Sequence, residues 1–124
     1  MIPYGKHYID EADIAAVTEV LRNGLLTQGP KIDEFERTVA KYVGVNYAVA
    51  VSSATAALHI ACMAAGVKKG EAVITSANTF VASSNAVLYC GGKPLFTDID
   101  PDNLGMSVNS LQKLLAENLS VKVV

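Results

Sequence analysis

An α/β fold, with a parallel sheet covered by helices, is what this sequence predicts, and two observations carry the prediction. From residue 47 onward, short apolar runs alternate with longer runs of helical texture, and glycines punctuate the joins. Parallel strands need crossovers of that length, whereas antiparallel strands are joined by tight turns. The first 44 residues instead show only helical periodicity. The expected organisation is therefore a helical segment over 1–44 followed by an α/β part over 45–124.

The elements follow in order. Asp10 is placed to cap a first helix, with Glu11 and Asp13 at its positive end and Ile14, Val17 and Leu21 along one apolar face. Gly24 is expected to stop that helix in the left-handed conformation. A second helix follows QGP, where Pro30 suits the first turn, Phe35 and Val39 lie four apart, and Gly44 closes. Residues 47–51 read as a strand, 55–65 as a helix capped by Gly66, and 72–75 as a second strand. A helix over 80–89, the break Gly91-Gly92 and a strand over 95–99 lead to the acidic turn DIDPDN. A helix over 111–119 and a last strand over 121–124 complete the pattern. Domains rarely finish within a strand, so the chain is expected to be the first part of a longer protein.

Composition narrows the class. The chain is 51% apolar and 18% charged, an ordinary globular balance, and its net charge of −2 with scattered basic residues argues against nucleic acid as a partner. No apolar run approaches the roughly 20 residues that span a bilayer, and the N-terminus lacks a signal-peptide core, so a cytoplasmic protein is expected. Cys62 and Cys90 read as reduced core cysteines. His7 and His59 stand alone, without a second ligand at metal-binding spacing, which excludes a zinc site.

Two loops carry candidate chemistry. In open α/β sheets, ligands bind beyond the carboxyl ends of strands. At residues 52–55, SSAT places small side chains and hydroxyls at a helix entrance, where unpaired amides and the helix dipole suit an anion such as phosphate. Ser and Thr also cap helices on their own account, so this loop has a purely structural reading too. At 76–80, SANTF brings Phe80 to the head of the next helix. A phenylalanine there is either core or a flat lid for a heteroaromatic ring. A phosphate anchor beside an aromatic lid suggests a planar phosphorylated cofactor.

Four stretches in order, LTQGPKIDEFE (26–36), YVGVNYAVAVSSATAAL (42–58), ITSANTFVASSNAVLYCGGKPLFTDIDPDNL (74–104) and VKVV (121–124), resemble the DegT/DnrJ/EryC1/StrS family of pyridoxal-phosphate-dependent sugar aminotransferases. The resemblance implies the N-terminal part of the large domain of a fold-type-I transferase, truncated at its C-terminus. SSAT and LTQGP look most like enzymes that aminate C4 of a UDP-linked 4-keto sugar, the transaminase of pseudaminic acid biosynthesis first and the aminoarabinose enzyme of lipid A modification second. It implies that the cofactor phosphate rests on the Ala54 amide and on Thr55, and that Phe80 stacks on the pyridine. Tyr4 and Thr27 match positions that hold the nucleotide sugar, and Asn85, one turn beyond Phe80 into that helix, is expected to line the same cleft. Glutamate is the implied amino donor and a homodimer, built partly on residues 10–44, the implied assembly.

The same resemblance withholds the catalytic parts. The lysine that carries the cofactor covalently, and the aspartate that pairs with the pyridine nitrogen, are expected beyond residue 124, and no lysine present sits in the family's motif. No catalytic residue is therefore assigned, and the chain alone is expected to be inactive. The first strand's partners also come later in the family's order, which leaves residues 47–51 with unpaired edges. The alternatives are a non-catalytic binding or interaction module, from a split gene or pseudogene, and an unrelated doubly wound domain with an anion loop. A dehydratase member would differ at the absent lysine.

Overall fold

A computed structural model describes residues 5–117 and 120–124 of the chain. It resolves two compact units, Met1–Ala50 and Val51–Val124.

The first unit holds α1 (Glu11–Asn23) and α2 (Pro30–Val43). Asp10 caps α1 with a full capping box. Its Oδ1 accepts from the amides of Ala12 at 2.9 Å and Asp13 at 3.1 Å, and the Asp10 amide donates to Asp13 Oδ2. Gly24 departs from expectation: its φ of −105° and ψ of 174° are extended, and its amide caps the helix by donating to the Val20 carbonyl. The stop there is thus a backbone hydrogen bond with a turn into extended chain, and it needs no left-handed residue. Gly44 does take the left-handed stop, with φ of 73°. Between the helices, Gly29 is buried, and a Cβ there would strike the Leu25 carbonyl. Pro30 then opens α2 at its first position, where a missing N–H costs nothing.

Residues 47–51 form no ladder with any described strand. The alternation YAVAV is present, but alternation only selects faces; a strand also needs a neighbour, and none lies in register here. A side chain of α2 reaches this segment instead: the Ala50 amide donates to Glu36 Oε1 at 2.7 Å.

The second unit is α/β. It comprises α3 (Ala54–Ala64), β1 (Ala72–Ser76), α4 (Ala82–Tyr89), β2 (Lys93–Thr97), α5 (Val108–Glu117) and β3 (Val121–Val123). The sheet is parallel throughout, in the order β2-β1-β3. β1 pairs with β2 over five residues, Ala72 with Lys93 through Ser76 with Thr97. β3 meets β1 only at Ala72 and Val73, with a shift of register between them. β2, an edge strand among the described residues, opens with Lys93 and Pro94, residues that discourage further pairing.

The core gathers where α4 crosses the sheet. Val67, Val73 and Val87 form its centre, with Cys62, Cys90 and Val123 packed around them. Ile74 and Val87 are fully enclosed. The acidic turn after β2 is structural: Asp100 Oδ1 accepts from the amides of Asp102 and Asn103, and an antiparallel bridge between Ile99 and Met106 closes it. The head of α5 is tied to the end of β2, since the Asp98 amide donates to Ser110 Oγ and the Ser107 amide to the Asp98 carbonyl. Among the described residues no helix is long and apolar enough to cross a membrane, and no cluster of three metal-ligating side chains occurs.

Candidate functional site

Topology brings two loops of the second unit to one end. α3 leads into the amino end of β1, so its own amino end returns toward the sheet's carboxyl edge. Eleven helical residues span about 16 Å, and five strand residues about the same, so the return is complete. α4 starts directly after the carboxyl end of β1. The two helices therefore run side by side in one direction, and Leu58, Ala61 and Cys62 of α3 face Ser83, Ala86 and Val87 of α4 across a cleft of 250 Å³. One turn back from Leu58 and Ser83 lie Ala54 and Thr79. The chain also reverses here: β1 connects to β2 on one side, whereas β2 connects back past β1 to β3. Ligands of open α/β sheets bind at such reversals, outside the carboxyl ends.

At the head of α3, Ser53 is the N-cap, and its Oγ accepts from the Ala56 amide at 3.1 Å. The Ala57 amide bonds the Ser53 carbonyl. That leaves the Ala54 and Thr55 amides of the first turn without intrahelical partners. Ala54 is exposed and Thr55 half-buried, and no acidic residue lies in that turn. Two free N–H groups, a hydroxyl and the positive end of an eleven-residue helix suit an anion the size of a phosphate ester.

The second loop is pinned by its own hydroxyls. Thr79 Oγ1 and Ser83 Oγ lie 3.0 Å apart, and Ser84 Oγ donates to the Val81 carbonyl. The helix opens at Ala82, two residues later than the sequence suggests, because Val81 is already the cap. Phe80 thus belongs to the loop, and 74% of its surface is exposed, which rules out a core role within this unit. Asn85 is half-buried in α4, its amide bonded to the Val81 carbonyl. The cleft between α3 and α4 is lined by neither Ala54, Thr55, Phe80 nor Asn85. Ala54, Thr55 and Phe80 lie toward this end of the unit, with Asn85 one turn into α4. Thr27 lies in the first unit, exposed, in the turn between α1 and α2. Tyr4 lies outside the described residues.

One feature at the same edge escapes sequence reading. Ser76 Oγ and Thr97 Oγ1 end β1 and β2 as register partners, both buried and both without a hydrogen-bond partner. Pattern reading treats Ser and Thr near a strand end as turn signals, and only the strand register reveals that these two stand side by side.

Comparison with known proteins adds a family. Residues 7–123 match the DegT/DnrJ/EryC1/StrS aminotransferase family. The UDP-4-amino-4-deoxy-L-arabinose–oxoglutarate aminotransferase of Shewanella sediminis is 40% identical over 116 residues, which is 94% of this chain and 30% of that protein. The UDP-4-amino-4,6-dideoxy-N-acetyl-β-L-altrosamine transaminase of Campylobacter jejuni is 42% identical over 118 residues, 95% of this chain and 31% of that one. Among solved structures, NtdA of Bacillus subtilis with bound PMP cofactor superposes with a TM-score of 0.75 at 37% identity, covering 81% of this chain and 23% of that chain. The chain thus spans about 30% of the length of the curated relatives it matches.

Proposed function

Because the chain belongs to the DegT/DnrJ/EryC1/StrS aminotransferase family, we propose that it is the N-terminal part of a pyridoxal-phosphate-dependent enzyme that aminates C4 of a UDP-linked 4-keto sugar. The observation that carries this reading is the pair of free first-turn amides, Ala54 and Thr55, on a Ser53-capped helix with no acid in that turn. When bound, pyridoxal phosphate would supply an aldehyde carbon to carry the amino group and a ring to accept electrons. Ala54 and Thr55 hold its phosphate, and the exposed Phe80 ring covers one face of the pyridine. Tyr4, Thr27 and Asn85 serve the nucleotide sugar, and glutamate is the amino donor. The whole enzyme works in the cytoplasm as a homodimer. Relatives named for UDP-linked 4-amino sugars support this choice of substrate class. Within it, the pseudaminic acid type is the first choice and the aminoarabinose type the second.

This chain alone does not transaminate, since none of its lysines stands in the family's catalytic motif. Titrating it with pyridoxal phosphate should give weak, saturable binding that inorganic phosphate displaces. Thr55→Ala should weaken that binding about fivefold, the worth of one hydroxyl donor. Binding indifferent to phosphate and to Thr55→Ala would remove the cradle. Borohydride added to the mixture should label no single lysine; stable labelling of one would overturn the claim of inactivity. Assay of the chain extended by its downstream coding sequence on UDP-4-keto sugars tests the substrate, and turnover of none of them would reject it.

A further inference from the structure

The chain has two cysteines, both free and both half-buried. Cys62 lies in the last turn of α3, and Cys90 caps the end of α4. Both pack against the same centre, Val67, Val73 and Val87. A ring contact next to them holds the two helices in step: His59 and Tyr89 meet edge-on, with centroids 5.3 Å apart and planes at 65°. His59 is three residues before Cys62, hence on the same face of α3, and Tyr89 directly precedes Cys90. The contact therefore clamps together the two segments that bear sulfur.

We propose that Cys62 and Cys90 are a redox pair, converted by a small disulfide of the glutathione type into an intrachain staple between α3 and α4. The thiolate of one cysteine attacks the glutathione disulfide, forming a mixed disulfide and releasing one glutathione thiolate. The second cysteine then attacks the mixed disulfide at its protein sulfur and expels the other glutathione. Two electrons and two protons leave the pair, and one S–S bond and two reduced glutathione molecules result. Access is through the cleft, which Cys62 lines. Burial, and secondarily the neighbouring Cys90, pushes the Cys62 thiol up, so exchange quickens as pH rises. The staple would fix α3, the helix headed by Ser53, to the better-buried α4.

Incubating the full chain with oxidised glutathione and mapping unreduced peptides tests this. The expected product is a monomer lighter by about 2 Da, with both thiols lost and one Cys62–Cys90 linked peptide pair. Cys90→Ser should instead yield a Cys62 glutathione adduct. At a fixed ratio of oxidised to reduced glutathione, the proportion of linked to glutathione-bearing chain should fall about tenfold in concentrated urea, because unfolding dilutes one sulfur with respect to the other. Glutathione adducts on both cysteines, interchain disulfides alone, or an equal proportion in urea would each overturn the proposal.

Discussion

α3 and α4 are alike in lacking Asp, Glu, Lys and Arg and far apart in burial. α3 has five alanines in eleven residues, and α4 has two in eight. Yet α4 buries Ala82, Ser84, Ala86 and Val87, whereas α3 buries nothing. The difference is one of layers. α4 contacts β1 and β2 on one side and α3 on the other, while α3 packs chiefly on α4. The 250 Å³ cleft between α3 and α4 is floored by β1 and β3, so α3 meets the sheet across a gap. An apolar helix is thus anchored by what covers it, and its own residues do not reveal whether anything does.

The sharpest way to break this comparison is to overfill both helices. Ala86→Leu, at a site 1% exposed, should destabilise the second unit by about 3 kcal/mol, read as a lower urea midpoint by circular dichroism. Ala64→Leu, on the exposed side of α3, should stay within about 0.5 kcal/mol. Equal effects would mean that the two helices are covered alike. Truncation gives a smaller contrast: Val87→Ala should cost about 2 kcal/mol and Leu58→Ala, at 39% exposure, about 1 kcal/mol, by the same measurement. Loss of the α3 cap comes next. Ser53→Ala should cost about 1 kcal/mol and Ser53→Gly only a few tenths; both variants lack the Oγ that accepts from the Ala56 amide, so equal losses would assign the whole effect to that bond and none to backbone freedom at the cap. Smallest is the loop of α4. Thr79→Ala removes one exposed hydroxyl contact with Ser83 and should shift stability by about 0.5 kcal/mol, measured against Ser83→Ala and the double variant to isolate the pair.

Local chemistry was legible along the chain, and partnership was not. Asp10 with Asp13, Pro30 and Gly44 act where their side chains or torsions say they should, because caps and stops are settled within a few residues. The parallel sheet also follows from the alternation of elements. The exceptions all need distant information. Residues 47–51 have a strand's pattern but pair with no described strand. Gly24 ends a helix without the torsion a terminal glycine suggests. Ser76 and Thr97 become a buried pair only through register. At the candidate site, the cap and free amides of SSAT were readable from residue types, while the exposure of Phe80 depended on a helix starting at Ala82.

The turn that carries Thr27 has a consequence for how this protein can vary. Gln28 already sits at a φ of 50°, and the carbonyl of Leu25 fills the space where any side chain at position 29 would begin. In a saturation library, position 29 should therefore accept a single letter, whereas at position 28 glycine or asparagine should outcompete the resident glutamine. Drift can rewrite the helices on either side of that corner, but the corner itself has almost no alphabet left.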